Sequence, residues 1–164
     1  MSTEKKYYEY IHVREWVNQI TYKMYQDMWR PDYIVGLTRG GLIPAVIMSH
    51  SLNIPMHTLN VSLRDGSEGP ESNLWMAEDA LNGKNILILD DINDTGATLD
   101  WIIQDWQGSA LPNDERWNTV WGGNVRFAVL IDNLSSKFST KVDYCGREIN
   151  KSERDVWIVY PWER

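Results

Sequence analysis

Residues 86–98 read ILILDDINDTGAT, and this stretch constrains the fold more than any other. Four successive apolar residues, with no polar alternation, describe a strand covered on both faces, as strands are in a parallel sheet with helices on either side. Carboxylates follow at Asp90, Asp91 and Asp94, and then Thr95-Gly96-Ala97-Thr98 leads into a helical pattern. A buried strand, an acidic mouth, a small turn and a helix make the first half of a βαβ unit. In open sheets built from such units, ligands bind beyond the carboxyl ends of the strands.

The rest of the chain alternates in the same way. Apolar positions at Ile11, Trp16, Ile20, Met24 and Met28 predict a helix over 9–29, stopped by Pro31. A strand is expected over 32–38, a tight turn at Arg39-Gly40-Gly41, a helix over 42–52 closed by Asn53, and a short strand over 56–61. Residues 64–73, RDGSEGPESN, read as a polar loop. A helical turn is expected over 77–81, the buried strand over 85–90 and a helix over 95–106. A polar stretch over 107–124 has no assigned role, and further strands are expected over 126–132 and 156–161. The predicted architecture is α/β, a mainly parallel central sheet flanked by helices with right-handed crossovers. A chain of 164 residues suffices for one such domain, 1–164, with a substantial core.

The turn after the buried strand has a chemistry of its own. The first amides of a helix have no partner within it and, with the helix dipole, attract anions. Gly96 and Ala97 lack bulk, so a phosphate can approach the backbone, while Thr95 and Thr98 add hydroxyl donors. Taken alone, Asp94-Thr95-Gly96 reads as an ordinary helix N-cap. With Asp90 and Asp91 beside it, one ligand satisfies both halves: a ribose whose hydroxyls meet the carboxylate pair while its 5′-phosphate rests on 94–98. The pair also suits magnesium, directly or through water. A metal-dependent phosphotransfer pocket uses adjacent aspartates too, but needs no phosphate cradle.

The segment LILDDINDTGATL resembles the phosphoribosyl-diphosphate signature of type I phosphoribosyltransferases: an apolar strand, two acidic residues, two variable ones, then Asp-Thr-Gly-x-Thr. VGLTRGGLIPAVIMSHSLNIP (35–55) resembles the early strand, turn and helix of the purine members, above all the xanthine-guanine branch. DVWIVYPWER (155–164) resembles that branch's Trp-Ile-x-x-Pro-Trp ending. The resemblance implies the type I fold with a small hood or lid. It implies that Arg39, Gly40 and Gly41 hold pyrophosphate and that Asp90 and Asp91 hold the ribose and magnesium. Thr95, Gly96, Ala97 and Thr98 would hold the 5′-phosphate, and Asp94 would act as general base. Trp157 would stack on the base, and the Ile158 backbone would read its edge. The family's base-reading lysine falls at Asn133, whose amide can still donate, with Lys137 close by as a substitute. A lid is expected over 62–78, with Gly66 and Gly69 as hinges and Arg64 within reach of pyrophosphate.

The activity so implied is transfer of a 5-phosphoribosyl group from phosphoribosyl diphosphate to guanine, xanthine or hypoxanthine, with Mg2+. Two other readings stay open: a transferase for another base such as a pyrimidine, which Asn133 allows, and a non-catalytic phosphoribosyl-diphosphate-binding regulator. A regulator of that kind usually carries a nucleic-acid-binding domain or a basic face, and a net charge of −7 argues against one here. No apolar run approaches the roughly 20 residues that cross a bilayer, and MSTEKKYYEY lacks the apolar region of an export signal. With Cys145 as the single cysteine, a reducing cytoplasm is expected. His12, His50 and His57 show no metal-ligand spacing and read as structural. A homo-oligomer, dimer or tetramer, is expected, since nine tryptophans suit an interface as well as a core.

Overall fold

A computed structural model describes residues 3–61 and 73–164. Among these residues the chain runs β1 (Glu4–Tyr7), α1 (Tyr10–Gln26), β2 (Tyr33–Thr38), α2 (Leu42–Leu52), β3 (Met56–Asn60) and α3 (Leu74–Leu81). It continues through β4 (Ile86–Asn93), α4 (Ala97–Ser109), a 3₁₀ turn at Glu115–Thr119, β5 (Val125–Asn133), β6 (Tyr144–Ile149) and β7 (Val156–Val159), and ends in a second 3₁₀ turn at Pro161–Glu163.

Five strands form one sheet in the order β3-β2-β4-β5-β6, and every pairing in it is parallel. β4 lies at its centre, and its unbroken apolar run serves two cores. Leu87 and Leu89 face a cluster built by α1 and α2, while Ile86 and Ile88 face one built by α3 and α4. The alternation follows from the two-residue period of a strand, and burial on both sides explains why no polar residue interrupts the run.

Several elements differ from the sequence expectation. The buried face of α1 is Val13, Trp16, Val17, Ile20 and Met24, not a stripe from Ile11 to Met28. Ile11 is 72% exposed, because it lies about 200° round the helix from Val13. Met28 is 94% exposed, because it follows the helix end with a positive φ of 52°. α2 does close on Asn53, which adopts the left-handed conformation. β4 runs on through both aspartates to Asn93, so Asp90 and Asp91 lie inside the strand's last turn of pleat rather than after it. β6 was not expected at all. It is the sheet's outer strand, and beyond Tyr144 its residues are half-buried or exposed.

β7 does not join the main sheet. It pairs in parallel with β1, which was also unexpected, in the register Glu4↔Val156, Lys5↔Trp157, Lys6↔Ile158 and Tyr7↔Val159. Arg154 grips Glu4 with both ends of its guanidinium, at 2.6 and 3.0 Å, which ties the start of the chain to the entrance of β7.

The polar-looking stretch 107–124 sends Ala110, Trp117 and Val120 into the core while most of its other residues stay exposed or half-buried. Trp117 is 2% exposed and donates from Nε1 to the Ala110 carbonyl at 2.8 Å. Trp121 stacks between Trp117 and Phe127, with centroids 5.8 Å away on each side. The segment covers the α4 side of the sheet.

Candidate active site

Because the sheet is parallel, the carboxyl ends of β2, β4, β5 and β6 share one edge, and the predicted residues gather there. After β2 the peptide bond between Thr38 and Arg39 is cis, and the chain turns through Gly40 and Gly41 into α2. The Gly41 amide donates back to the Leu37 carbonyl at 2.8 Å, and the Arg39 side chain is left exposed. Gly40 lies directly against the carboxylate of Asp91. A Cβ at position 40 would stand 2.1 Å from Asp91 Oδ2, so any larger residue would have to push that carboxylate aside for the turn to close over it.

The two aspartates hold themselves in place. Asp90 Oδ1 accepts from the Asp91 amide, and Asp91 Oδ1 from the Ile92 amide, both at 2.8 Å. Beneath them the Tyr160 hydroxyl donates to the Asp91 carbonyl at 2.7 Å. Burial pushes the Asp91 carboxyl above the usual range; its hydrogen bond with Asp90 pulls it down, and the Glu163 charge pushes it up again. The Tyr160 phenol is raised for the same first reason, with Asp91 the next cause. Among the described residues, no three His, Cys, Asp or Glu side chains converge as a protein-built metal cage requires. Two adjacent carboxylates instead fit an ion such as magnesium that keeps most of its ligands as water or substrate oxygen.

The small turn follows. Thr95 and Ala97 are exposed, Asp94 and Thr98 half-buried, and Gly96 buried with a φ of 93°. α4 therefore starts at Ala97, two residues later than expected, with Gly96 as its cap. Thr95 Oγ1 accepts from the Ala97 amide at 3.2 Å, and the Thr95 carbonyl accepts from the Lys137 amide at 2.9 Å. The backbone of Phe138 presses on Gly96, where a Cβ would come within 2.4 Å of the Phe138 nitrogen. The loop after β5 thus braces the turn from below.

Asp94 sits at a junction that the sequence reading placed only in part. Asn133, at the end of β5, donates from Nδ2 to the Asp94 carbonyl at 2.9 Å and reaches Asp94 Oδ1 at 3.4 Å. Its Oδ1 accepts from Ser135 Oγ at 2.9 Å and from the Lys151 amide at 3.0 Å. The side chain is 95% enclosed in effect, with only 5% of the residue exposed, and both ends of its amide have protein partners. Asn133, expected to face the base, has an amide that ties chain segments together. Lys137, the suggested substitute, is exposed and anchored through its backbone to Thr95. Among the described residues a cation beside Asp94 is Lys151, whose Nζ lies 3.1 Å from Asp94 Oδ1 and 5.7 Å from the centre of the Trp157 ring. Trp157 is 46% exposed and Ile158 buried, so the indole offers a face to solvent at this junction. Lys151, Tyr160 and Phe138 were missed. The only signal for Lys151 was a lone lysine in the polar run REINKSERD, which by itself reads as a solvated turn.

The lid expected over 62–78 falls largely on residues 62–72, including Arg64, Gly66 and Gly69, which lie outside the described residues. Its last part is not a loop: Leu74–Leu81 is helix α3, with Met76 and Ala77 buried in the second core. His12 has a structural task, accepting from the Glu9 amide at 3.0 Å. Cys145 is half-buried, and burial pushes its thiol up.

The chain can be compared with known proteins at this point. The family model described as "Phosphoribosyl transferase domain" matches residues 5–162. The hypoxanthine-guanine phosphoribosyltransferase of Schizosaccharomyces pombe is 28% identical over 193 aligned residues, spanning 99% of this chain and 91% of that protein. The xanthine-guanine phosphoribosyltransferase of Cereibacter sphaeroides is 30% identical over 139 residues, spanning 82% of this chain and 70% of that protein. The crystal structure of a purine phosphoribosyltransferase from Pyrococcus horikoshii superposes with a TM-score of 0.65 at 28% identity, covering 99% of this chain and 95% of that one.

Proposed function

The chain belongs to the phosphoribosyl transferase domain family, and we propose that it transfers a 5-phosphoribosyl group from phosphoribosyl diphosphate to guanine, xanthine or hypoxanthine in purine salvage. What supports the reading most is one convergence. The 39–41 turn, the Asp90–Asp91 pair and the 94–98 turn meet at the carboxyl edge of neighbouring parallel strands, with Gly40 seated on Asp91.

A nitrogen of the base attacks the anomeric carbon as the bond from that carbon to pyrophosphate breaks, and the electron pair leaves with pyrophosphate. Arg39 and the amides around Gly40 and Gly41 stabilise the charge growing on the leaving group. Asp90 and Asp91 accept from the ribose hydroxyls, and the turn at Thr95, Gly96, Ala97 and Thr98 holds the 5′-phosphate, so the reacting carbon cannot drift. The same two aspartates would hold magnesium, which when bound adds positive charge beside the pyrophosphate. Asp94 accepts the proton that the base must lose. Trp157 offers a flat face on which the base stacks, a contact of roughly 1–3 kcal/mol, and the backbone at Ile158 meets its edge.

The purified protein, mixed with magnesium, phosphoribosyl diphosphate and each of guanine, xanthine, hypoxanthine, adenine, uracil and orotate, should release pyrophosphate with the 6-oxopurines. Turnover only with a pyrimidine, or tight binding of phosphoribosyl diphosphate with no turnover at all, would replace this reading with a pyrimidine transferase or a regulator. We further propose a homo-oligomer, since α1 leaves Ile11, Tyr22 and Tyr25 exposed and Met28, just past its end, is exposed with them; sedimentation equilibrium at micromolar concentration tests it, and a monomer mass would reject it.

A further inference from the structure

Tyr160 joins two parts of the site that lie far apart in the chain. It directly follows β7, which carries Trp157 and Ile158, and its hydroxyl donates to the Asp91 carbonyl in β4 at 2.7 Å. The residue is held from other sides as well. Only 1% of it is exposed, and its ring stacks on Trp162 with centroids 4.7 Å apart and planes 6° from parallel. Its backbone amide donates to Glu163 Oε1 at 2.8 Å, and one residue earlier the Val159 carbonyl accepts from the Tyr8 amide at 3.1 Å. A phenol fixed in this way has little freedom to follow a moving carbonyl.

The bond falls where β4 has lost a neighbour. β2 pairs with β4 as far as Gly36↔Leu89, whereas β5 follows it to Asn93. Past Leu89 the strand that bears both acids no longer has β2 beside it, and the Tyr160 hydroxyl supplies a donor to that stretch. The carbonyl it meets belongs to the peptide between Asp91 and Ile92, a rigid plane. At the other end of the same plane the Ile92 amide donates to Asp91 Oδ1 at 2.8 Å. One plane therefore carries both the bond from Tyr160 and the bond that aims the Asp91 carboxylate. Were the plane to turn, the carboxylate would lose its donor or turn with it.

We propose that Tyr160 is a positioning residue for Asp91, through which the C-terminal strand that carries the base end sets the grip of the acid pair on the ribose of phosphoribosyl diphosphate. The proposal rests on the transferase reading and goes beyond it by linking two subsites through one hydroxyl and one peptide plane.

The test is the Kd of phosphoribosyl diphosphate, read by calorimetry with magnesium and no base, in wild type, Tyr160→Phe, Asp91→Ala and the double variant. Phenylalanine keeps the ring on Trp162 and removes the hydroxyl alone. Loss of that one hydrogen bond predicts a Kd roughly 3- to 10-fold higher in Tyr160→Phe. In the Asp91→Ala background the same change should add less than about twofold, because a residue that acts through the Asp91 carboxylate then has nothing to act on. A merely structural phenol would lower the melting temperature and leave the Kd of the folded protein unmoved. That result, or equal fold-changes in the two backgrounds, overturns the proposal while leaving the transferase intact. Wild-type protein that binds no phosphoribosyl diphosphate overturns the transferase reading itself. Should a variant fail to fold or bind too weakly to titrate, wild type carries the test by amide hydrogen exchange. Magnesium with phosphoribosyl diphosphate, and no base, should slow exchange at the Tyr160 amide more than at Tyr144, which shares only the general stabilisation that a ligand brings; equal slowing overturns the proposal.

Discussion

Gly83 and Gly96 share a backbone conformation, with φ of 90° and 93°, yet differ in what surrounds them. A Cβ at Gly83 would have nothing within 4 Å, whereas one at Gly96 would stand 2.4 Å from the Phe138 nitrogen and 2.6 Å from its Cα. Alanine at the two positions therefore separates backbone cost from steric cost. Both variants meet the left-handed penalty of about 1–2 kcal/mol. For Gly83→Ala that is the whole effect, a melting temperature lower by about 2–4 °C per kcal/mol and unchanged turnover. Gly96→Ala adds an overlap: carbon contacts rest near 3.5–4.0 Å, so the two backbones must separate by about 1 Å. The Phe138 loop is poorly able to give way. Lys137 is bonded to the Thr95 carbonyl, the Phe138 amide to Ser136 Oγ at 3.1 Å, and Ser139 to the Asp100 carboxylate. The displacement falls on the turn proposed to hold the 5′-phosphate, where a shift of about 1 Å can cost on the order of 100-fold in rate. Steady-state kcat/KM for phosphoribosyl diphosphate with hypoxanthine, read beside thermal melts, checks this. Equal activity in the two variants would refute the argument that the 94–98 turn seats the phosphate and that Phe138 sets its height.

Asp91 gives a pH-dependent expectation. Its folded carboxyl is raised, so the native state holds the proton more tightly than the unfolded chain. Its favourable contribution is therefore complete below the ordinary carboxylate range and is lost as pH climbs through the raised value. Asp91→Asn, which keeps the oxygen that accepts from Ile92, should raise the urea midpoint at about pH 7–8 and lose that advantage towards about pH 4, while weakening phosphoribosyl-diphosphate binding. Constant added stability at every pH would contradict it. Tyr160→Phe removes the donor to the buried Asp91 carbonyl and should cost about 1–3 kcal/mol by urea titration; a neutral result would mean that carbonyl finds another donor. Deleting residues 1–7 removes the partner of β7, so KM for the base should rise several-fold while KM for phosphoribosyl diphosphate holds. Equal effects on both would show that β1 supports the whole domain rather than Trp157 and Ile158.

The central sheet was legible because double-sided burial leaves a mark in the chain itself. The buried stretch of each central strand is an unbroken apolar run, 86–89 in β4 and 127–131 in β5, and β2 runs apolar from Tyr33 to Leu37 with Gly36 inside it. β6 and β1 leave no such mark. β6 buries Tyr144 and exposes Arg147 and Glu148, as an outer strand can, and all four residues of β1 are exposed. What makes EKKY a strand is the edge of β7, a partner at the other end of the sequence, and no local pattern announces it. The segment 107–124 misled for the opposite reason. Its polar residues outnumber its tryptophans, yet Trp117 and, in part, Trp121 carry enough area to anchor the segment to the second core.

The same division runs through the site. The 39–41 and 94–98 turns were legible because their chemistry is local: a small residue is needed where backbone must approach something, and the sequence shows glycine there. The base end is set by closure of distant segments, and counting along β5 could only say that an amide stands where a lysine was expected. The structure explains why that amide is no vacancy. Asn133 Oδ1 accepts from Ser135 and from the Lys151 amide, and Nδ2 donates to Asp94. A lysine at 133 could make none of the accepting bonds, because an ammonium has no lone pair to offer. The end of β5 therefore supplies an acceptor that holds the β6–β7 turn, and asparagine provides it.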